Sequence, residues 1–460
     1  MRKLINHVLV IYGTCCIFFR YEEIFRDSDS ESDEDEDGEG DSEGQKRPRY
    51  DEQSILKRRE RRVWQEKRNK ILFEYEQYSF YGRSTAVLMY DLAFTMSRGD
   101  INDLLWWAIV GLTEQHIFLK SEDENDLLET ANLRDHVSRL NKNVAVNGDA
   151  SAGEQKAVSS MKLAFDRELN LVLHRHWSIY ESLLHTIYTA AKFNVWSAKG
   201  KQRLSEFLAE LGLPLAQCKQ EFSAMDLALR NDICPIFDSK AERYGLDLIT
   251  RGSFSASFGY RNRYCAADVV LALRSVMENV DKDSSVTPQD LFLRALDSLS
   301  RSRIELLEEG IFLAKSHMEI IMRQVQNFLD TRQIETYGPF LHATIHEGSP
   351  MHKYFSRPNC LAMLAQHTLR AYNAYTSSKK VSSLPLVISA PLDAQEGTCL
   401  VIGVPPINDR SRKNLLGKAF EQALTKTNSR YRLDYFDPSL IQLKIEDRAK
   451  FINGLITLLQ

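Results

Sequence analysis

Cysteine is scarce in this sequence of 460 residues: there are seven, no two form a CxxC pair, and none lies at a metal-ligand spacing from histidine. This distribution argues against a structural zinc site and against a disulfide framework. We therefore expect reduced thiols and an intracellular protein.

The motifs of common catalytic sites are also missing. The sequence contains no GxxxxGK[ST] loop, no GxGxxG, no GxSxG and no HExxH. His174 and His176 form an HxH pair, but on a helix their side chains would point about 200° apart and could not share a metal ion. We predict no catalytic, cofactor-binding or metal-binding residue, and hence a protein that is not an enzyme.

Apart from the first twenty residues, no stretch of the sequence is a candidate for crossing a bilayer. The run from Val8 to Phe19 follows a basic start, as in a signal peptide, but no small-residue cleavage site follows it. It is also shorter than the ~20 residues of a membrane-spanning helix. We expect residues 1–20 to be a buried strand or foreign sequence at a mispredicted start, with secretion or anchoring as the alternative, and we expect no membrane partner.

Charge of one sign is in excess only locally. Residues 27–43 contain eleven acidic side chains and no basic one, residues 46–70 contain eleven basic and four acidic ones, and the formal net charge is −4. The rest of the chain is therefore electrically balanced. A protein that binds duplex DNA through its folded surface usually carries a basic excess there, so we expect any nucleic-acid contact to be local or shared with partners.

Both charged blocks carry predicted signals. Ser28, Ser30 and Ser32 each have an acidic residue three positions later, which favours phosphorylation by an acid-directed kinase. A two-part nuclear import signal is predicted at Lys46, Arg47, Lys57, Arg58, Arg59, Arg61 and Arg62. The alternative is a solvated loop beside a basic helix.

Hydrophobic periodicity predicts a mostly helical first half. A helix is expected from Ser54 to Tyr78, and the segment from Leu104 to Leu112 is so apolar that it should be buried, its two tryptophans included. The polar region 121–159 is interpreted as a loop, and 160–235 as all-helical. Gly212 is expected to end a helix in the left-handed conformation.

Residues 250–260 alternate as a half-buried strand does. Aromatic rings beside cations suit single-stranded nucleic acid, so the candidate DNA contacts are Arg251, Phe254, Arg261 and Arg263. The alternative is a strand whose aromatics pack inward with arginines at its ends. Farther on, apolar residues recur every three or four positions from Ile304 to Phe328, which predicts a long helix covering the strands of a C-terminal α/β domain.

Several long strings resemble the cell division control protein 45 family of eukaryotic DNA replication. They occur in consistent order over residues 21 to 460 and include "KRRERRVWQEKRNKILFEYEQYSFYG", "DLLWWAIVGLT", "RHWSIYESLLHTIYTAAKFNVWSAKGKQRLSEFLAELGLPLAQCKQEFSAMD", "YFSRPNCL", "SLPLVISAPL" and "EDRAKFINGLITLL".

The resemblance implies an α/β fold with a large all-helical insertion: a degenerate, N-terminally truncated DHH-like domain related to RecJ nuclease, then a C-terminal α/β domain of the DHHA1-like type. The domains expected are 1–20, a hydrophobic N-terminus; 21–53, an acidic linker; 54–120, the helical remainder of the DHH-like domain; 121–159, a polar loop; 160–235, the helical insertion; 236–300, a connecting α/β segment; and 301–460, the C-terminal domain. An opening sheet of about a hundred residues would precede residue 21, so the helices of 84–112 should expose an apolar face.

The resemblance also implies a nuclear, non-enzymatic scaffold subunit of the replicative helicase. Its expected partners are the minichromosome maintenance ring, the GINS tetramer, DNA polymerases and loading factors at the fork, and single-stranded DNA. The alternatives are an active DHH-type phosphoesterase or exonuclease, and an acidic nuclear chaperone that binds through residues 27–43.

Overall fold

The computed structural model describes residues 52–77, 81–96, 102–118, 123–146, 161–258, 262–280, 286–349, 351–376, 378–407, 414–433, 435 and 437–460. The chain divides into two units, residues 1–79 and residues 80–460. Within the described ranges, no helix combines the length and apolarity that crossing a bilayer would take.

The described part of the first unit is one helix, α1 (Glu52–Glu76), which confirms the helix predicted from Ser54. Lys57 and Arg58 of the predicted import signal lie in it, and its Arg59, Arg61 and Arg62 are exposed. Lys46, Arg47 and the predicted phosphorylation sites Ser28, Ser30 and Ser32 lie outside the described residues.

The second unit is mixed α/β and mostly helical. Its described α-helices are α2 (Thr85–Thr95), α3 (Asn102–Ile117), α4 (Asp123–Val146), α5 (Ile179–His185), α6 (Ile187–Phe193), α7 (Ala198–Glu210), α8 (Leu215–Lys219), α9 (Leu227–Asn231), α10 (Ile233–Ala241), α11 (Ala266–Met277), α12 (Pro288–Ser298), α13 (Ile304–Asp330), α14 (His352–Phe355), α15 (Pro358–Tyr375), α16 (Lys379–Ser382), α17 (Leu416–Thr427) and α18 (Arg448–Leu459). Short 3₁₀ helices lie at Phe222–Ala224, Glu242–Tyr244, Arg301–Arg303 and Ile445–Asp447.

The described strands form two sheets. They are β1 (Met161–Leu169), β2 (Thr250–Phe258), β3 (Asn262–Cys265), β4 (Glu335–Thr336), β5 (Leu341–Thr344), β6 (Leu386–Asp393), β7 (Thr398–Val404), β8 (Tyr431–Arg432) and β9 (Leu440–Lys444). The first sheet has the order β1-β2-β3 and is antiparallel. The second has the order β4-β5-β6-β7-β9-β8, and of its pairs only β5 with β6 is parallel.

Helix α3 is buried as predicted, except for one tryptophan. Trp106 is 3% exposed, whereas Trp107 is 42% exposed, so the prediction that both lie in the core is wrong for Trp107. Helix α2 also exposes large apolar side chains, which are Met89, Leu92 and Phe94. These two helices therefore carry the exposed apolar face that was expected between residues 84 and 112.

Two predictions of secondary structure are wrong. Much of the polar region 121–159, interpreted as a loop, is helix α4, which buries Asp126, Leu133 and Val137 although most of its surface is polar. The region 160–235 is not all-helical, because it opens with β1. That strand pairs with β2, some eighty residues later, and such distant pairing leaves no local signal beyond the short alternation of Met161, Leu163 and Phe165.

The C-terminal sheet is covered by helices on both faces, as an α/β domain requires. Alternate residues of β6 and β7 point to opposite cores: Ile388 and Ile402 pack towards α13 and α15, while Val387 and Val401 pack towards α17 and α18. Strands buried on both faces are expected to be almost continuously apolar, as "LVIS" and "CLVI" are. The predicted antiparallel pairing of β6 with β7 is confirmed.

Helix α13 extends the predicted seam to Asp330 and joins two cores. Leu307 and Ile311 in its first half pack with the three-stranded sheet and α11, whereas Val325 and Phe328 in its second half pack with the six-stranded sheet. At 1.5 Å per residue its 27 residues span about 40 Å. The helix therefore fixes the relative position of the two sheets.

A buried carboxylate caps the N-terminus of α15. Arg357 at its N-cap position accepts no capping hydrogen bond through its side chain. Instead the amides of Asn359 and Cys360 donate to the two carboxylate oxygens of Glu278, at 2.7 and 2.9 Å. Burial raises the pKa of Glu278, and these two amides oppose that effect. Glu278 follows the last residue of α11, so this contact links the two cores.

Replacing Glu278 with alanine is expected to lower the free energy of unfolding by about 2 kcal/mol, because two helix-terminal amides lose their acceptor in a buried place. Glu278→Gln should lose less, since its amide oxygen can still accept one bond. Urea unfolding measures both changes. Glu242→Ala, at an exposed position, is the matched control, and an equal loss in the control would contradict the assignment.

Candidate nucleic-acid interface

The three-stranded sheet carries the residues that the sequence singled out as DNA contacts. Arg251 and Phe254 lie on β2, and Arg263 lies on β3, while Arg261 lies outside the described residues. The predicted strand at 250–260 is thus confirmed for residues 250–258. Because side chains alternate across a strand, these residues do not share one face of the sheet.

Phe254 faces the core. It is 5% exposed, and its ring lies 4.7 Å from the ring of Phe165, the residue opposite it on β1. Ala256 and Tyr264 are buried in the same core. A ring packed in this way presents no free surface for stacking on a base, so the geometry favours the alternative in which these aromatics pack inward.

Arg263 lies on the opposite face, where carboxylates hold it. Its guanidinium donates to Asp166 at 2.7 Å, to Glu168 at 2.8 Å and, through Nε, to the hydroxyl of Ser255 at 3.1 Å. Glu168 also accepts two hydrogen bonds of 2.6 Å from Arg175. Two guanidinium groups therefore share one buried carboxylate, and Arg263 is largely neutralised within the protein.

The neighbours of Glu168 keep its carboxylate ionised. Burial alone raises its pKa, but the imidazole of His174 and the guanidinium of Arg175 outweigh that effect and lower the pKa to about 2. A general base works best with a pKa near the working pH. With its oxygens occupied and its pKa this low, Glu168 is suited to holding the sheet, and not to accepting a proton from a substrate.

Arg251 lies opposite Glu168 in the β1–β2 ladder and borders a cavity of about 110 Å³. One of its terminal nitrogens is 3.3 Å from Nδ1 of His116, which is 2.7 Å from a carboxylate oxygen of Asp126. Arg251 thus joins β2 to helices α3 and α4, and its side chain lies within a polar network.

The HxH pair lies in a turn and not on a helix, which corrects the sequence interpretation. Nε2 of His174 is 3.6 Å from Glu168, while His176 stacks on Tyr264 with its Nε2 3.7 Å from Asp268. Burial lowers the pKa of His176. Each histidine thus has its own acidic neighbour, as a structural histidine does. Over the described ranges, no three side chains of His, Cys, Asp or Glu form a group that could hold a metal ion.

A larger groove of about 890 Å³ opens between strands β1 and β3, the 3₁₀ helix Phe222–Ala224, α9 and α13. Arg230 and Lys315 line it, and neither forms a direct ion pair with another residue that the structure describes. Nη1 of Arg230 donates to the carbonyl of Ser223 at 3.1 Å, and Glu221 and Glu319 act on Lys315 at longer range. Phe312, 65% exposed, lies one helical turn before Lys315. Sequence reasoning missed Arg230, Lys315 and Phe312, because they are brought together only by tertiary packing and no local motif marks them.

The fold and this site define a mixed α/β protein in which the acidic and basic side chains around Glu168 form ion pairs with one another. A family model described as CDC45 matches residues 20–458. The chain therefore belongs to the CDC45 family, as the resemblance indicated.

Individual relatives agree with this assignment. The chain is 43% identical over 444 residues to the "Cell division control protein 45 homolog" of Mus musculus and 42% identical to that of Homo sapiens, and each match covers 95% of this chain and 77% of the relative. A crystal structure of CDC45 from Entamoeba histolytica shares the fold, with a TM-score of 0.60 and 21% identity over 83% of this chain and 73% of that one.

Replacing Glu168 with glutamine tests the ion-paired site. We expect the variant to lose about 2 kcal/mol of stability at neutral pH, because Arg175 and Arg263, whose side chains are only partly exposed, lose the buried carboxylate that they share. The pKa of Glu168 is lower in the folded state than its ordinary 4.5. The contribution is therefore full above about pH 4.5 and lost as the pH falls towards 2.

Denaturant unfolding between pH 7 and pH 3 measures this dependence. Asp166→Asn is the matched control, since the Asp166 carboxylate contacts the same arginine but its side chain is 53% exposed, and it should cost less than about 1 kcal/mol. A pH-independent loss for Glu168→Gln would contradict the assignment.

Proposed function

We propose that this chain is a non-enzymatic scaffold subunit of the eukaryotic replicative DNA helicase, which acts in the nucleus in the initiation and elongation of chromosomal DNA replication. The observation that carries the proposal is the match to the CDC45 family over residues 20–458. The proposed partners are the minichromosome maintenance ring, the GINS tetramer, the polymerases and loading factors of the fork, and single-stranded DNA.

The chemistry of the polar cluster supports a structural role. Glu168 is held by two arginines, and His174 and His176 each lie beside one carboxylate. These groups stabilise one another across β1, β3 and α11. A phosphoesterase would instead need carboxylates and imidazoles directed together at a pair of metal ions.

We further propose that the fold descends from DHH phosphoesterases, with a degenerate DHH-like domain, a helical insertion and a DHHA1-like C-terminal domain from residue 301. The separate core of residues 169–249 supports the insertion. The two cores on either side of the six-stranded sheet support the C-terminal domain. The exposed Arg59, Arg61 and Arg62 on α1 are accessible, as a nuclear import signal must be.

Reconstitution tests the scaffold directly. The full-length chain, co-expressed with the minichromosome maintenance ring and GINS, is expected to co-elute with both in size-exclusion chromatography and to enable unwinding of a forked DNA. A complex prepared without the chain is the control. Deletion of residues 27–43 should leave assembly intact, whereas an acidic chaperone would lose binding. Failure to assemble, or Mn²⁺-dependent cleavage of oligonucleotides by the chain, would overturn the proposal.

We place the contact with single-stranded DNA in the groove that α13 borders. Phe312 offers an exposed ring for stacking, and Arg230 and Lys315 offer charges that form no direct ion pair within the described residues, although Glu221 and Glu319 act on Lys315 at longer range. Burial lowers the pKa of Lys315, and a bound phosphate would favour its charged form. Arg263 lines the same groove but is committed to Asp166 and Glu168.

The double variant Arg230→Ala, Lys315→Ala removes both of these charges. It should weaken single-stranded DNA binding and reduce the slope of log K against log salt concentration by about 1.4, since each phosphate contact contributes about 0.7. Fluorescence anisotropy with a labelled oligonucleotide at several salt concentrations measures it. Arg243→Ala removes an arginine that is 71% exposed, pairs with Glu210 and lies outside the groove. If this control lowers the slope as much as one groove substitution, the groove is not the contact.

A further inference from the structure

The loop before α12 presents a threonine followed by proline. The sequence contains two Ser-Pro or Thr-Pro dipeptides, Thr287-Pro288 and Ser349-Pro350. Residues 286–290 are all exposed, whereas Ser349 is half-buried. Thr287 has an extended backbone, with φ −85° and ψ 157°. A kinase binds its substrate as an exposed, extended segment. Thr287 itself is exposed and extended, and opening of only the first turn of α12, which begins at Pro288, would extend the residues that follow it.

Thr287 also forms the N-cap of α12 in a complete capping box. Its amide and its hydroxyl both donate to Oδ2 of Asp290, at 3.0 and 2.7 Å, and the amide of Asp290 donates back to the Thr287 hydroxyl at 3.3 Å. These hydrogen bonds lower the pKa of Asp290, so its carboxylate is charged at neutral pH. Any new charge on Thr287 would therefore lie beside an anion.

We propose that Thr287 is a phosphorylation site for a proline-directed protein kinase and that the phosphate opens the capping box of α12. The kinase transfers the γ-phosphoryl group of ATP to Oγ1: the bond from phosphorus to the ADP oxygen breaks, the bond to Oγ1 forms, and the hydroxyl proton is released. The hydrogen bond from the hydroxyl to Asp290 is lost with that proton.

The charges around Thr287 decide whether a phosphate there would stabilise or loosen the first turn of α12. A phosphate at a helix N-terminus can accept amide hydrogen bonds, but beside an acidic residue it is repelled. Pro288 at the first helical position has no N–H to donate, and the amide of Leu291 already donates to the carbonyl of Thr287. The amides of Gln289 and Asp290 are then the only first-turn donors near the phosphate, and the Asp290 carboxylate lies at contact distance, so we expect repulsion of Asp290 to dominate and the first turn to loosen.

The loosened turn adjoins an apolar surface. Phe292, Leu293 and Leu296 on α12 are 58, 56 and 54% exposed, and the helix is held to α13 by an ion pair between Arg294 and Glu309. Phosphorylation would thus change the order of the helix that presents these side chains. The inference does not depend on the proposed helicase function, since it rests on α12 alone.

Phosphorylation of the folded, full-length chain by a purified proline-directed kinase with ATP tests the proposal. Mass spectrometry is expected to locate the phosphate on Thr287, and Thr287→Ala should abolish it while Ser349→Ala should not. Hydrogen exchange of the amides of residues 290–293 should then accelerate by about fivefold or more, the loss expected when an N-cap is removed.

Asp290→Asn separates repulsion from a general effect of the phosphate. This variant keeps a side-chain acceptor for the capping bonds but has no charge, so phosphorylation should leave its exchange rates nearly unchanged. Phosphate found on Ser349 and not on Thr287, modification only after denaturation, or unchanged or slower exchange in the phosphorylated wild-type chain would each overturn the proposal.

Discussion

The packing of one long helix, Ile304–Asp330, joins two cores of the described second unit. Its apolar seam runs through two cores: Ile311 and Met318 pack beside the three-stranded sheet, and Val325 and Phe328 beside the six-stranded one. A helix of about 40 Å links the positions of the two sheets because the backbone hydrogen bonds of its interior lie within the helix. The Glu278 cap on α15 provides a second, polar link between the same two cores. Helix α13 also forms one wall of the groove of about 890 Å³, to which it contributes Phe312 and Lys315.

Patterns local in sequence predicted their elements well, and patterns that depend on distant pairing did not. The seam of α13, the strands β6 and β7, and the left-handed Gly212 with φ +74° follow from residues within a few positions of one another. The sequence did not predict strand β1, because its partner β2 lies far along the chain. The sequence did not predict helix α4, because its composition is polar and its few buried residues give only a faint periodicity.

The candidate site shows the same division more sharply. The strand that contains Phe254 was predictable from the sequence. The inward packing of its ring was also considered, as the alternative to a contact with DNA. The partners of Arg263 were not, because Asp166 and Glu168 come from a strand nearly a hundred residues earlier. A cation beside an aromatic in sequence suggests a nucleic-acid contact, but only the fold shows whether that cation is already neutralised. By this criterion Arg230 and Lys315, which carried no sequence signal, are better suited than Arg263.

The polar cluster around Glu168 is assigned a structural role on the basis of its ion pairs, and the protonation of Glu168 tests this role most directly. Carbon-detected NMR titration of the chain labelled at its glutamate carboxyl carbons, assigned with Glu168→Gln, reports that group alone. The account predicts a carboxylate that stays ionised throughout the range in which the protein is folded, with a pKa of about 2. A Glu168 carboxyl that titrates near neutral pH would be poised for acid–base catalysis, and it would contradict the structural role assigned to the cluster.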